Sequence, residues 1–271
     1  MKPHDMLNLL IDEPEAAYHG QTRRGEYLSS HLLADFRRCP AFYHRKLLGQ
    51  VPDKRSAAYD LGRAAHKLIL EGNAAFDEAY LVSDGPLNPK TQQPYGRTTK
   101  AYADWLEGQD RKIISTADRD CLEHLRSAVM ANVEATNLLK TGVCESVVRA
   151  PIAGEPCHIR MDWFNPEMGI VDLKTAADLD FFEHDIRRYG YVLQMAFYRA
   201  VLREATGFEA PVYIIGVEKA EPFRAGVWFI FPDVLDVAEN INLAAIKRLR
   251  ECRASGQWET GFEAPRAIVS L

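Results

Sequence analysis

Apolar positions recur every three to four residues through the first half of the chain. Past residue 142 they give way to short runs rich in β-branched and aromatic residues. These are the periodicities of helix and of strand. YLSSHLLADFRRCPAFYHRKLLG reads as a helix, with Ser29 or Ser30 as N-cap and Leu32, Leu33, Phe36 and Phe42 near helical spacing. Pro40 lacks the N–H that a helix interior needs and breaks or kinks it. SAAYDLGRAAHKLILEG is a second helix, closed by Gly72. SDGPLNPKTQQPYGRTTK, crowded with Pro, Gly and polar residues, reads as an exposed loop. AYADWLEGQ and TADRDCLEHLRSAVMANVEATNLLK follow as amphipathic helices ending near Gly142.

CESVVRAPI, CHIRMDWF and GIVDLKT then read as three successive strands, separated by the turn segments AGEP and NPEMG. A long helix over DFFEHDIRRYGYVLQMAFYRAVLREATG follows. Two more strands, PVYIIGVEK and AGVWFIF, and a last helix, VLDVAENINLAAIKRLRECRASG, complete the order. Strands in the middle with helices before and after predict an α/β fold, a central mixed sheet covered by helices. No linker divides the chain, so residues 1–271 are expected to form a single domain. Its helical N-terminal part is about 1–115, its sheet core about 140–235, and its closing helix about 233–255.

With 47% hydrophobic and 26% charged residues the composition is that of a globular protein, not a disordered one. No run of 18 or more apolar residues predicts a membrane span. The N-terminus lacks the basic-then-apolar order of a signal peptide, so the expected location is cytoplasmic. The five cysteines, Cys39, Cys121, Cys144, Cys157 and Cys252, are scattered without a CxxC pair, which speaks against a zinc site or a disulfide framework. The net charge of −5 argues against coating nucleic acid by charge alone. From Gln21 to Lys67, however, ten Lys/Arg face four Asp/Glu. That excess is either a solvated surface or a face that meets phosphates, through Arg23, Arg24, Arg37, Arg38, Arg45 and Lys46.

The chemistry lies in CHIRMDWFNPEMGIVDLKTA. Asp172 and Lys174 are two apart on one expected strand and so point to one face. A hairpin through NPEMG can bring Asp162 beside them. Two carboxylates at one spot repel each other and are costly to bury unless a cation joins them. Oxygen ligands suit Mg²⁺ or Mn²⁺, and a lysine at the metal can orient water and stabilise charge on phosphate. This is the equipment of phosphodiester hydrolysis. A D-x-K pair by itself is more often a surface ion pair, but IVDLKT is an apolar strand in which idle charges are expensive. Two further pairs keep it company: Gln194 and Tyr198, four apart on one helix face, and Gly62 and His66, four apart upstream.

In this order, S-x-x-L-x-x-F-x-x-CP, GRAAH, RMDW, IVDLKT, GYVLQMAFY and VEKAEPF resemble the RecB-like branch of the PD-(D/E)XK nucleases, with a core like that of restriction endonucleases. The likeness is greatest to the exonuclease VIII (RecE) type of phage recombination nucleases, and it runs from about Leu28 to Phe223. The resemblance implies roles. Asp162, Asp172 and the Leu173 carbonyl would be metal ligands and Lys174 the catalytic lysine. His66 would stand at the metal or the scissile phosphate. Gln194 and Tyr198 would position DNA and active-site groups, and Glu145 is a further acid of that site or an exposed strand-end acid. Relatives that carry an iron–sulfur cluster draw three cysteines from the C-terminal part. Only Cys252 lies there, so no cluster is expected.

The function expected from the resemblance is Mg²⁺-dependent, 5′-to-3′ exonuclease action on linear double-stranded DNA in phage-type recombination. A single-strand annealing protein and a homo-oligomeric ring are the associated partners. An endonuclease or repair nuclease of the RecB-like type, and a non-enzymatic DNA-binding module with a relict site, are the alternatives. A glycosidase has no use for the D-x-K strand.

Overall fold

In the computed structural model, residues 10–52, 57–265 and 267 are described. The first nine residues, on which much of the signal-peptide reading rests, and Lys54 and Arg55 of the basic segment lie outside them.

The helical part comprises α1 (Glu15–Arg23), α2 (Ser30–Arg38), α3 (Pro40–Leu47), α4 (Ala57–His66) and α5 (Gly72–Ala79). A small parallel pair follows, β1 (Tyr80–Val82) with β2 (Lys112–Ile114), flanking α6 (Lys100–Glu107). Then come α7 (Thr116–Ala131) and α8 (Val133–Leu139). The main sheet holds β3 (Val143–Ile152), β4 (Glu155–Asn165), β5 (Gly169–Ala176), β6 (Val212–Glu218) and β7 (Ala225–Phe229) in that spatial order. Between β5 and β6 run α9 (Phe182–Arg188) and α10 (Tyr191–Thr206), and α11 (Pro232–Ser255) closes the chain. β5 and β6 pair in parallel and the other neighbours antiparallel. The sheet is therefore mixed, as the element order predicts, because a helical crossover lets the chain re-enter in the same direction.

Ser29 caps α2 by accepting from Leu32 N–H. Pro40 ends one helix and begins another, where its missing N–H costs nothing, so the single expected helix is two. Asn132 likewise divides the expected helix over residues 116–140. Gly190, at φ +71°, divides the one expected over 180–207. The sequence pattern did not announce α1, α5 or the small β1–β2 pair. Residues 83–99, expected as a loop, carry neither helix nor strand.

Two apolar layers sandwich the sheet. Ile159, Met161, Ile170 and Ile214 face α2, α10 and α11, while Val171, Leu173, Ile215 and Val217 face α4, α7 and α8. Along β5 the alternation sends Asp172 and Lys174 to the side of Ile170 and Ala176, toward α10. The turn before β5 is held by Asn165, whose Oδ1 accepts from Glu167 and Met168 N–H. It requires glycine at 169: φ is +115°, and a Cβ would stand 2.1 Å from the Pro211 carbonyl oxygen. Among the described residues no helix is long and apolar enough to cross a membrane.

Candidate active site

The β4–β5 ladder is short. Only Trp163, Phe164 and Asn165 pair with Val171, Ile170 and Gly169, after which the strands part. Asp162 stands at the fork, and its carboxylate accepts from Leu173 N–H at 2.9 Å, a donor the ladder has released. On its other side β4 keeps its register with β3 on both sides of this point, and only the Glu145–Asp162 step drops out of the pairing. Cys144 pairs with Trp163 and Ser146 with Met161, but Glu145, opposite Asp162, has φ +54°. A non-glycine residue in that region costs on the order of 1–3 kcal/mol and persists only where the surroundings impose it. The facing of β4 changes here: Met161 packs on one apolar layer and Trp163 on the other.

His66 ends α4 and is followed by a π-helical turn, Lys67–Glu71, of the kind that often marks functional sites. Its Nδ1 lies 3.4 Å from Asp162 Oδ2. One ligand atom each from His66, Glu145 and Asp162 lies within 4.8 Å of the others, close enough to share one ion. Asp172, 1% exposed, receives Lys174 Nζ at 2.5 Å, and Gln194 Nε2 reaches it at 3.5 Å. The same Nε2 lies 3.3 Å from the Tyr198 hydroxyl. Seven of the eight expected site residues thus line one cleft of about 500 Å³, and Asp172 lies buried behind Lys174 at its wall. Within it, His66, Glu145 and Asp162 form one triplet, and Asp172 is paired with Lys174 beside them.

Electrostatics favour a divalent cation at the triplet. Burial, then the neighbouring Asp172, push the Asp162 carboxyl up to about 7. Burial and Asp162 raise that of Glu145. Burial lowers His66, with Lys174 adding to the effect, which leaves the imidazole neutral and able to ligate. For Lys174 burial acts downward, but Asp172 and Asp162 outweigh it and hold the ammonium charged.

The sign of the resulting pH dependence is fixed. The folded metal-free protein binds a proton at Asp162 that the unfolded chain releases, so stability falls as pH rises from about 3.8 to about 7. Asp162→Asn keeps a carbonyl oxygen for Leu173 N–H and removes the titration. The melting temperature of the metal-free variant is expected to decline less than that of the parent between pH 5 and pH 8. Parallel declines would show that Asp162 titrates normally.

Several residues of the cleft were not foreseen. Arg160, two before Asp162 on β4, donates from Nε to Glu145 and at 3.1 Å to the Glu13 carbonyl. Its spacing from Asp162 was the one available signal. α1 brings Glu15, Tyr18 and His19, and Arg63 pairs with Glu15. His158 pins α1: its Nε2 meets Thr22 Oγ1 at 2.7 Å, and its ring stacks between Tyr18 and Tyr27. Of the basic segment, Arg63 and Lys67 line the cleft, but none of Arg23, Arg24, Arg37, Arg38, Arg45 and Lys46 does. Arg24 pairs with Glu26, Lys46 with Asp35, and Arg37 bonds Asn242. The phosphate-facing reading of those six therefore lacks support at the cleft.

The family model described as "PDDEXK-like domain of unknown function (DUF3799)" matches residues 29–264. No curated protein matches the chain significantly. Among solved structures, a candidate exonuclease from Eubacterium rectale is similar over 96% of this chain and 97% of its own. It is 18% identical, with a TM-score of 0.68, which establishes a common fold. LHK-Exo in complex with dAMP aligns over 87% of this chain and 95% of its own. At 13% identity and a TM-score of 0.34, that alignment adds nothing to the fold assignment.

Proposed function

The chain belongs to the DUF3799 family of PDDEXK-like domains, and on that premise we propose that it is a Mg²⁺-dependent DNA exonuclease acting on linear double-stranded DNA. The observation that carries this reading is the convergence of Asp162, Lys174, His66 and Glu145 on one cleft, with Asp172 paired to Lys174 behind it. Burial and the neighbouring Asp172 drive the Asp162 carboxyl up to about 7, a penalty on its charged form that a bound cation would relieve.

In this reading Asp162, Glu145 and His66 would hold the ion, and the motif resemblance adds Asp172 and the Leu173 carbonyl as further ligands. Oxygen and imidazole donors also suit Mn²⁺. The ion, when bound, supplies Lewis-acid polarisation of the phosphate and activation of water. Lys174, held by Asp172 at the wall of the cleft, would stabilise the negative charge that develops on the phosphate. Gln194 links Asp172 to Tyr198 and holds both in place. Arg160 keeps Glu145 turned toward the triplet. The 5′-to-3′ polarity, and a place in phage-type recombination with an annealing protein receiving the exposed strand, rest on the motif resemblance.

End-labelled linear duplex and closed circular duplex, each incubated with and without Mg²⁺, test the reading. Mononucleotide release from the 5′ end of the linear DNA, dependent on Mg²⁺ and absent with the circle, is expected. Cutting of the circle would make the protein an endonuclease. No cleavage under any divalent cation would leave a DNA-binding module with a relict site.

A further inference from the structure

We propose that Tyr189 and Tyr191 form a stacking platform for an unpaired nucleobase, next to the phosphate that faces Lys174. The proposal rests on the nuclease reading and specifies its substrate: a nucleotide freed from the duplex stack, not a base pair.

Tyr191, the first residue of α10, lines the cleft with Asp162, Lys174 and Gln194. Lys174 Nζ lies 5.0 Å from the centroid of its ring. Tyr189 is the C-cap residue just after α9 and is 58% exposed. Gly190 between them adopts φ +71°, a left-handed turn that glycine makes without strain. The turn brings the two rings to 5.8 Å centroid to centroid at 31°. Outside them the Arg188 guanidinium lies over Tyr189 at 5.4 Å. Successive contacts thus link Lys174 in the cleft to Tyr191, Tyr189 and the exposed Arg188.

A single exposed aromatic residue is ordinary and would mean nothing. Here two are aligned, one of them is anchored at the catalytic ammonium, and a cation flanks each end. Such alternation of π faces and cations suits single-stranded nucleic acid, whose bases stack on aromatic rings while its phosphates meet the positive groups. A nucleobase hangs one sugar away from its phosphate, which is also the scale of the step from Lys174 to the tyrosines. Inside a duplex both faces of a base are already stacked, so an aromatic platform can take only a base that has left the helix. Stacking is blind to base identity.

The test measures binding of an end-labelled, short single-stranded oligonucleotide and of an abasic chain of equal length. Both are measured by fluorescence anisotropy in Ca²⁺, for the parent protein and two double variants. Tyr189→Leu with Tyr191→Leu should weaken oligonucleotide binding about tenfold, since one stacked base is worth roughly 1–3 kcal/mol. Tyr189→Phe with Tyr191→Phe should bind like the parent, because the π faces remain. The abasic chain should bind all three alike. Equal affinity of the Leu variant and the parent for the oligonucleotide overturns the platform, as does an equal loss on the abasic chain or a loss in the Phe variant. Melting curves check the fold. If the double Leu variant does not fold, the exposed Tyr189→Leu substitution alone carries the comparison. A parent that binds and cleaves DNA while the Leu variant is unaffected refutes only the platform. A parent that binds no DNA removes the nuclease reading and the platform together.

Discussion

Replacing Asp162 or Asp172 by alanine is expected to reduce cleavage by about 10³-fold or more, since a lost metal centre forfeits several kcal/mol of transition-state stabilisation at about 1.4 kcal/mol per factor of ten. The two variants should differ in stability, and that difference is the sharper test. Asp162 is raised by burial and by Asp172, so removing its charge relieves strain. Asp162→Asn, which also keeps the Leu173 hydrogen bond, should melt at or above the parent temperature at pH 8 without metal. Asp172 balances the Lys174 ammonium at 2.5 Å in a pocket where it is 1% exposed. Asp172→Ala strands that cation and should melt lower. Isothermal titration with Mn²⁺ should show lost binding in the Asp162 variant. Near-parent cleavage by either alanine variant would remove these residues from the centre of the site.

Lys174→Ala is expected to lower the single-turnover rate at saturating Mg²⁺ by on the order of 10²-fold, comparable to losing one preorganised electrostatic group. Affinity for DNA in Ca²⁺ should change little, since one phosphate contact among many contributes a small share. Lys174→Arg should not restore the rate. The ammonium sits compactly between the Asp172 carboxylate and the Tyr191 ring, and a planar guanidinium cannot occupy that volume or give up a proton. His66→Ala and Gln194→Ala should fall between the parent and Lys174→Ala, as residues that hold others in place. If affinity and rate fall together in Lys174→Ala, the lysine is a phosphate clamp and the catalytic role is wrong.

The chemistry was legible in the sequence wherever a local periodicity determines it. Asp172 and Lys174 share a face because side chains alternate along any strand, whatever lies around it. Gln194 and Tyr198 share a face because a helix turns every 3.6 residues, and the structure joins them at 3.3 Å. Ser29 announced the start of α2 by its ability to accept a backbone N–H. The boundaries of long helices were less legible. A left-handed Gly190 and an Asn132 cap interrupt the amphipathic pattern without disturbing its apolar spacing.

The sequence by itself determined the order of the five main-sheet strands and the helices around them, the mixed sheet that this order demands, and the pairs of chemical groups fixed by the repeat of one element. Only the tertiary structure decided where the elements part. The β4–β5 fork frees Leu173 N–H for Asp162, the strained Glu145 turns toward Asp162 under Arg160, and α1, pinned through His158, walls the cleft. These contacts join residues far apart in sequence, so no local pattern announces them. The split among the acids was decided there too. Asp162 faces His66 and Glu145, Asp172 faces Lys174, and the difference arises because one carboxylate stands in the opening of the sheet and the other lies beneath it.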